Sequence, residues 1–102
     1  MAYELLVGLD VTNDEIYHDY RLAMRPLLAQ VGGYFGYDFK VSETLISRTH
    51  DNINRVFTIG FPNKEVKEAF FTLPEYLEIK SEFFTRSVKS TTIIAEYNKQ
   101  VE

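Results

Sequence analysis

Two stretches of this chain alternate apolar and small or polar residues at every second position. Tyr3, Leu5, Val7, Leu9 and Val11 alternate with Glu4, Leu6, Gly8 and Asp10. Phe57, Ile59 and Phe61 alternate with Val56, Thr58 and Gly60. Side chains point to opposite faces of a strand in turn, so the pattern predicts strands over Tyr3–Val11 and Arg55–Phe61, each with one strongly apolar face. Pro62 has no N–H to give a ladder and ends the second of them.

The spacing then changes to three and four. Ile16, Tyr20, Ala23, Met24, Leu27, Leu28 and Val31 form a stripe that predicts a helix from about Asn13 to Val31. His18, Asp19, Arg21 and Arg25 fall off that stripe, toward solvent. Thr12-Asn13-Asp14-Glu15 reads as a capping box with Thr12 at the N-cap, flanked by Val11 and Ile16 as a staple. Pro26 predicts a kink or loosened turn near Leu22, and Gly32-Gly33 ends the helix. Asn63 caps a second helix carrying Val66, Ala69, Phe70 and Leu73. Thr72 to Glu75, with Pro74 in the first turn, repeats the start signal. The second crossover is therefore expected as two helical pieces bent near Leu73 and reaching about Ser87.

Tyr34 to Ile46 predicts a further strand, bulged, with Phe35, Tyr37, Phe39 and Val41 on one face and Gly36, Asp38, Lys40 and Ser42 on the other. Ser47 to Asn52 is turn-prone and joins it to the next strand. Thr91 to Tyr97 predicts the last strand, with a frayed tail from Asn98 to Glu102. The order β-α-β-β-α-β is the ferredoxin-like arrangement of the α+β class. Two right-handed crossovers would place both helices on one face of a four-stranded antiparallel sheet. The other face would mix Leu6, Val56 and Ile94 with Glu4, Asp38, Lys40, Thr58 and Glu96, a surface that suits either water or a second subunit.

The chain has 102 residues, which fits one domain over 1–102. It is 45% hydrophobic and 15% aromatic, enough for a packed core. A net charge of −4 disfavours nucleic acid as a partner, because affinity for phosphate backbones comes from clustered Lys and Arg. There is no Cys, hence no disulfide framework and no thiolate chemistry. No apolar run approaches membrane-spanning length and no leader-like segment is evident, so a cytoplasmic protein without a membrane partner is expected.

Gly32-Gly33-Tyr34-Phe35, the strand ending Phe61-Pro62, Ala69-Phe70-Phe71 and Pro74-Glu75-Tyr76 together resemble the family known as domain of unknown function 1330. The resemblance extends from Tyr3 to about Tyr97. It implies a ferredoxin-like fold that pairs sheet to sheet as a dimeric α+β barrel. The wider superfamily includes cofactor-independent monooxygenases, haem-degrading enzymes and ligand-sensing domains. Family members often carry an Arg on the second strand shortly after the Gly-Gly. Here Gly36, Tyr37 and Asp38 follow Tyr34-Phe35, and Lys40 is the nearest cation.

No motif names a chemistry. His18 and His50 are the only histidines and read as surface residues, since a metal site needs several convergent ligands; neither a metal nor a cofactor is expected. His50-Asp51 could orient an imidazole at a pocket mouth. Asp38 and Lys40, sharing a face with Thr58, are candidate ligand-binding groups, because covered charges must pair and often mark sites. Tyr17, Tyr20, Tyr34, Tyr37 and Phe39 could line an apolar cavity between the first helix and the sheet, with plain core packing as the competing reading. Tyr37, Asp38, Lys40, His50 and Thr58 are thus the candidate site residues. Two functions follow. The first is a homodimeric domain that binds a small apolar metabolite or acts through interaction alone. The second, by analogy of fold, is a cofactor-independent monooxygenase-like enzyme acting on a small apolar or aromatic metabolite.

Overall fold

The structure is a computed structural model and describes residues 1–100, so Val101 and Glu102 of the expected tail lie outside the described residues. The elements are β1 (Ala2–Val11), α1 (Asp14–Gln30), β2 (Tyr34–Lys40), β3 (Arg55–Phe61), α2 (Lys64–Phe70), α3 (Pro74–Ile79) and β4 (Val88–Lys99). A π-helical turn over Lys80–Phe84 and a last helical turn over Thr85–Ser87 carry α3 into β4. The four strands form one antiparallel sheet in the order β2-β3-β1-β4. This is the expected ferredoxin-like fold, with a helical crossover after β1 and another after β3.

The odd-numbered faces of β1 and β3 are the core, as their alternation requires. Leu5, Val7 and Leu9 bury beside Phe57, Ile59 and Phe61 and meet the helices. Each large apolar side chain so buried contributes on the order of 1.5–3 kcal/mol. Phe61 packs tilted against Phe70 and edge-to-face against Phe71, which in turn meet Tyr76, with ring centroids 5.1–5.7 Å apart.

Several local expectations shift. Asn13, not Thr12, caps α1: its Oδ1 accepts from the Ile16 N–H at 3.0 Å, while the Thr12 hydroxyl donates to the Ser87 carbonyl. Asn63 caps α2 as expected, accepting from the Val66 N–H at 2.9 Å. Leu73, rather than Thr72, precedes α3, and the Thr72 hydroxyl donates back to the Ala69 carbonyl. The helix α1 runs unbroken through Pro26. Gly32 takes φ +77, and the Gly33 N–H reaches back to the Leu28 carbonyl at 2.9 Å, the left-handed stop that glycine makes cheaply.

The buried stripe of α1 is rotated from the expected one. It runs through Tyr17, Tyr20, Arg21, Met24 and Leu28, so Arg21 faces the sheet and not solvent. The strand β2 ends at Lys40, and residues 41–54 form an irregular connection instead of a long hairpin. Asn98 and Lys99, expected to fray, pair with Tyr3 and Ala2 in β4.

Two of the three register shifts in the sheet reassign side chains between the expected faces. Phe35 pairs with Ile59, but the next pair is Asp38 with Phe57. The extra residue sends Asp38 to the helix side and Tyr37 and Phe39 to the outer side, reversing the expected parity. In β4, Ala95 pairs with Leu6 but Ile93 with Val7, leaving Ile94 unpaired. Glu96, opposite Leu5, therefore lies on the helix side and not on the outer face with Glu4.

Candidate ligand cavity

The inner sheet face and the helices do not close completely. A cavity of about 360 Å³ remains between them, within the range of small-molecule sites, roughly 300–1,000 Å³. Leu5, Val7 and Leu9 of β1 with Phe57 and Ile59 of β3 line its sheet side. Tyr17, Tyr20 and Met24 of α1 line the helix side, and Phe71, Tyr76 and Phe84 complete it. The break before Pro74 sets Tyr76 against α1, and the π-helical turn brings the Phe84 ring to 5.0 Å from that of Tyr20. Past the β4 bulge, Thr91, Ile93 and Glu96 also line the cavity.

Its polar groups come in three sets. The Tyr20 and Tyr76 hydroxyls share a hydrogen bond of 2.8 Å. Burial is the main reason that both phenols are pushed above their ordinary value, so both stay protonated near neutral pH. In the second set, Arg21 Nε donates to the Tyr17 hydroxyl at 2.8 Å and its two terminal nitrogens reach Asp38 at 3.2 and 3.5 Å. Arg55 holds the same carboxylate through two bonds of 2.7 Å. Burial alone would raise the Asp38 carboxyl, but the Arg55 hydrogen bonds and the Arg21 charge outweigh it and hold it below the usual carboxylate range. In the third set, Lys67 pairs with Glu96 at 2.8 Å and Tyr3 donates to Glu96 at 3.0 Å. The Lys67 bond holds the Glu96 carboxyl low.

The five candidate residues read from the sequence do not converge here. Asp38 stands behind Arg21, on the helix side. Lys40 is exposed and pairs with Asp14 at 3.6 Å. His50 sits in the 41–54 connection with φ 64 and is exposed. Thr58 is buried on the outer face, its hydroxyl accepting from the Tyr37 N–H at 2.8 Å in the β2 bulge. Tyr37 is exposed and stacks on Phe39, centroids 6.0 Å apart. Of the five aromatic residues proposed to line a cavity, Tyr17 and Tyr20 do, whereas Tyr34, Tyr37 and Phe39 lie on the other side of the sheet. Sequence reasoning missed Arg21, Tyr76, Phe84 and Lys67.

The outer face carries its own buried acid. Glu4, only 3% exposed, accepts from the Tyr34 hydroxyl at 2.7 Å and the Tyr97 hydroxyl at 2.8 Å, with Lys99 Nζ at 3.9 Å. The Tyr34 ring lies flat over Gly60, where a Cβ would come within 2.2 Å of it. Beside this cluster, Leu6, Tyr37, Phe39, Val56 and Thr58 frame a shallow depression. Among the described residues, no three His, Cys, Asp or Glu side chains converge as a metal site, and no helix is long and apolar enough to cross a membrane.

No protein-family model matches this chain, and none of the curated proteins matches it. Solved structures do. A protein of unknown function from Rhodopseudomonas palustris superposes with a TM-score of 0.77 at 15% identity, over 99% of this chain and 84% of the other. A dimeric protein of unknown function with a ferredoxin-like fold, from Bacteroides fragilis, gives 0.60 at 14% identity, over 96% of both chains. A protein from Nitrosomonas europaea, provisionally named an antibiotic biosynthesis monooxygenase, gives 0.60 at 13% identity over 96% of this chain and 89% of the other. At these identities the likeness defines the fold class: this chain is similar to ferredoxin-like proteins that include dimeric members.

Proposed function

We propose that this protein is a homodimeric small-ligand-binding domain whose site is the cavity between the sheet and the helices. The observation that carries the proposal is the cavity itself: about 360 Å³ with mostly aromatic and aliphatic walls and a few fixed polar groups. The Tyr20 and Tyr76 hydroxyls are protonated near neutral pH and Glu96 is held by Lys67, so these groups are set to bind and orient. The ligand expected is a small, flat, largely apolar molecule. A titration with 2-naphthol, followed through the methyl resonances of Met24, Ile59 and Ile93, tests this. Saturable shifts that vanish in Ile93→Trp, which narrows the cavity, are expected. Shifts that stay linear in probe, or that survive the substitution, would contradict it.

The homodimer belongs to the same proposal. Supporting it are the exposed Tyr37 and Phe39 on the outer sheet face and the dimeric description of the similar Bacteroides fragilis protein. Membership of the domain of unknown function 1330 family, resting on the motifs quoted above, and the cytoplasmic location expected from composition stay with this reading. A second reading, a cofactor-independent monooxygenase-like enzyme, is favoured by one observation: the Tyr20–Tyr76 hydroxyl pair lines an apolar cavity where a substrate hydroxyl or carbonyl could join it. Similarity of fold to the Nitrosomonas europaea protein adds a weak warrant. Turnover of a phenolic substrate under oxygen, lost in Tyr20→Phe, would move the assignment to this reading.

A further inference from the structure

The charges behind the cavity wall do not balance. Asp38 offers one negative charge to two guanidinium groups, those of Arg21 and Arg55, and leaves one positive charge over. Arg55 takes the better share, with two bonds of 2.7 Å against the 3.2 and 3.5 Å of Arg21. Yet the Arg21 side chain is the more enclosed of the two, 10% exposed against 19%. A guanidinium keeps its charge in proteins, and a charge this enclosed is costly unless matched. The rings of Tyr17, Phe35 and Phe57 lie 5.1, 4.0 and 4.6 Å from the Arg21 guanidinium carbon. Their electron-rich faces ease the cost but supply no negative charge.

Arg21 and all three of those rings line the cavity. The remaining lining charges do not offset the excess: Lys67 is matched by Glu96, and Lys80 adds a further cation. We propose that the ligand of this cavity is a small aromatic anion whose carboxylate, or similarly charged oxygen, engages Arg21 while its ring lies among Tyr17, Tyr20 and Tyr76. The inference deepens the ligand-binding reading and rests on it. Arg21 also borders a second groove of about 280 Å³, which Asp38, Arg55, Arg25, His18, Gly36 and Tyr37 line as well. That groove is the rival seat for an anion. The cavity is favoured because Tyr17, Phe35 and Phe57, the three rings packed on the Arg21 guanidinium, all line it, whereas the groove shares only Phe35.

Two probes of one shape isolate the charge: 2-naphthoate and its neutral amide, 2-naphthamide, each titrated into the intact protein and followed by the backbone and methyl resonances. The naphthoate is expected to bind the wild type about tenfold more tightly than the amide, the worth of one charge-assisted hydrogen bond. Arg21→Gln is expected to erase that preference. Asp38→Asn, which breaks the same ion pair from the other side, is expected to strengthen it. Opposite responses to two changes that disrupt one pair cannot come from loosened structure. Equal affinity of both probes at the Met24, Ile59 and Ile93 methyls would overturn the inference and leave the ligand-binding reading standing. Silence of those methyls toward both probes would remove the reading as well. Naphthoate shifts confined to Arg25, Gly36 and Tyr37 would overturn the placement at the cavity.

Discussion

The hydroxyl oxygens of Tyr20 and Tyr76 lie 2.8 Å apart, a single buried hydrogen bond that ties α1 to α3 where both residues line the cavity. Removing one partner leaves the other buried and unpaired, which costs about 1–3 kcal/mol, whereas removing both is nearly neutral. Tyr20→Phe is therefore expected to lower stability by that amount in urea unfolding. The double change Tyr20→Phe with Tyr76→Phe is expected to recover most of the loss. A double variant that loses the sum of the two single effects would mean that the bond does not couple the helices.

Asp38 ties acid stability to the arginine pair. Its folded carboxyl lies below the ordinary 3.8. The unfolded chain thus takes up the proton first as pH falls. The stability from this group is full above 3.8 and is lost as pH drops through the folded value. Asp38→Asn should be less stable than wild type near neutral pH by about 1–3 kcal/mol. That gap should close in urea unfolding below pH 3.8. A gap that stays constant into acid would show that Asp38 acts through shape and not charge. Glu96, also held low, is common to both proteins and cancels.

Tyr34 sets an alkaline limit. Burial, with the hydrogen bond to Glu4, pushes its phenol from 10.0 up to about 12. Here the unfolded state loses its proton first, so the contribution is full below 10.0 and falls away as pH rises toward 12. Tyr34→Phe should show a shallower loss of stability across that window than wild type. The other tyrosines with raised phenols titrate in both proteins, so identical slopes would contradict the assignment.

Tyr37 and Phe39 are 61% and 55% exposed, stacked on the outer sheet face. A substitution at such a site changes the stability of a lone subunit by less than about 0.5 kcal/mol. If a second copy covers this face, Phe39→Asp should convert the dimer to a folded monomer in sedimentation, with little change in the monomer's own unfolding. A variant that sediments as wild type would place the subunit contact elsewhere.

The fold was legible because β1 and β3 alternate strictly and because the crossovers announce their helices with polar caps, Asn63 where it was expected and Asn13 one residue past Thr12, and with Pro74. The site was legible only in part. Tyr20 lies on the expected stripe and Tyr17 just beside it, but an Arg at position 21 reads as solvent-facing by type. The spacing Tyr17, Tyr20, Met24 and Leu28 is itself a buried stripe, and Arg21 falls within it. That spacing was the available signal. Asp38 and Glu96 were placed on the wrong face because each follows a bulge, and one extra residue reverses every later side chain. No local pattern marks such a slip, since it is decided by pairing with the neighbouring strand. Tyr76 and Phe84 reach the cavity only through the break at Leu73 and the π-helical turn.

Native mass spectrometry of the intact protein mixed with 2-naphthoate reads subunit number and ligand uptake together, the two halves of the proposed function. A dimer that carries one probe molecule per subunit is expected, with uptake abolished by Ile93→Trp. A monomer, or a dimer that takes up no probe, would contradict it.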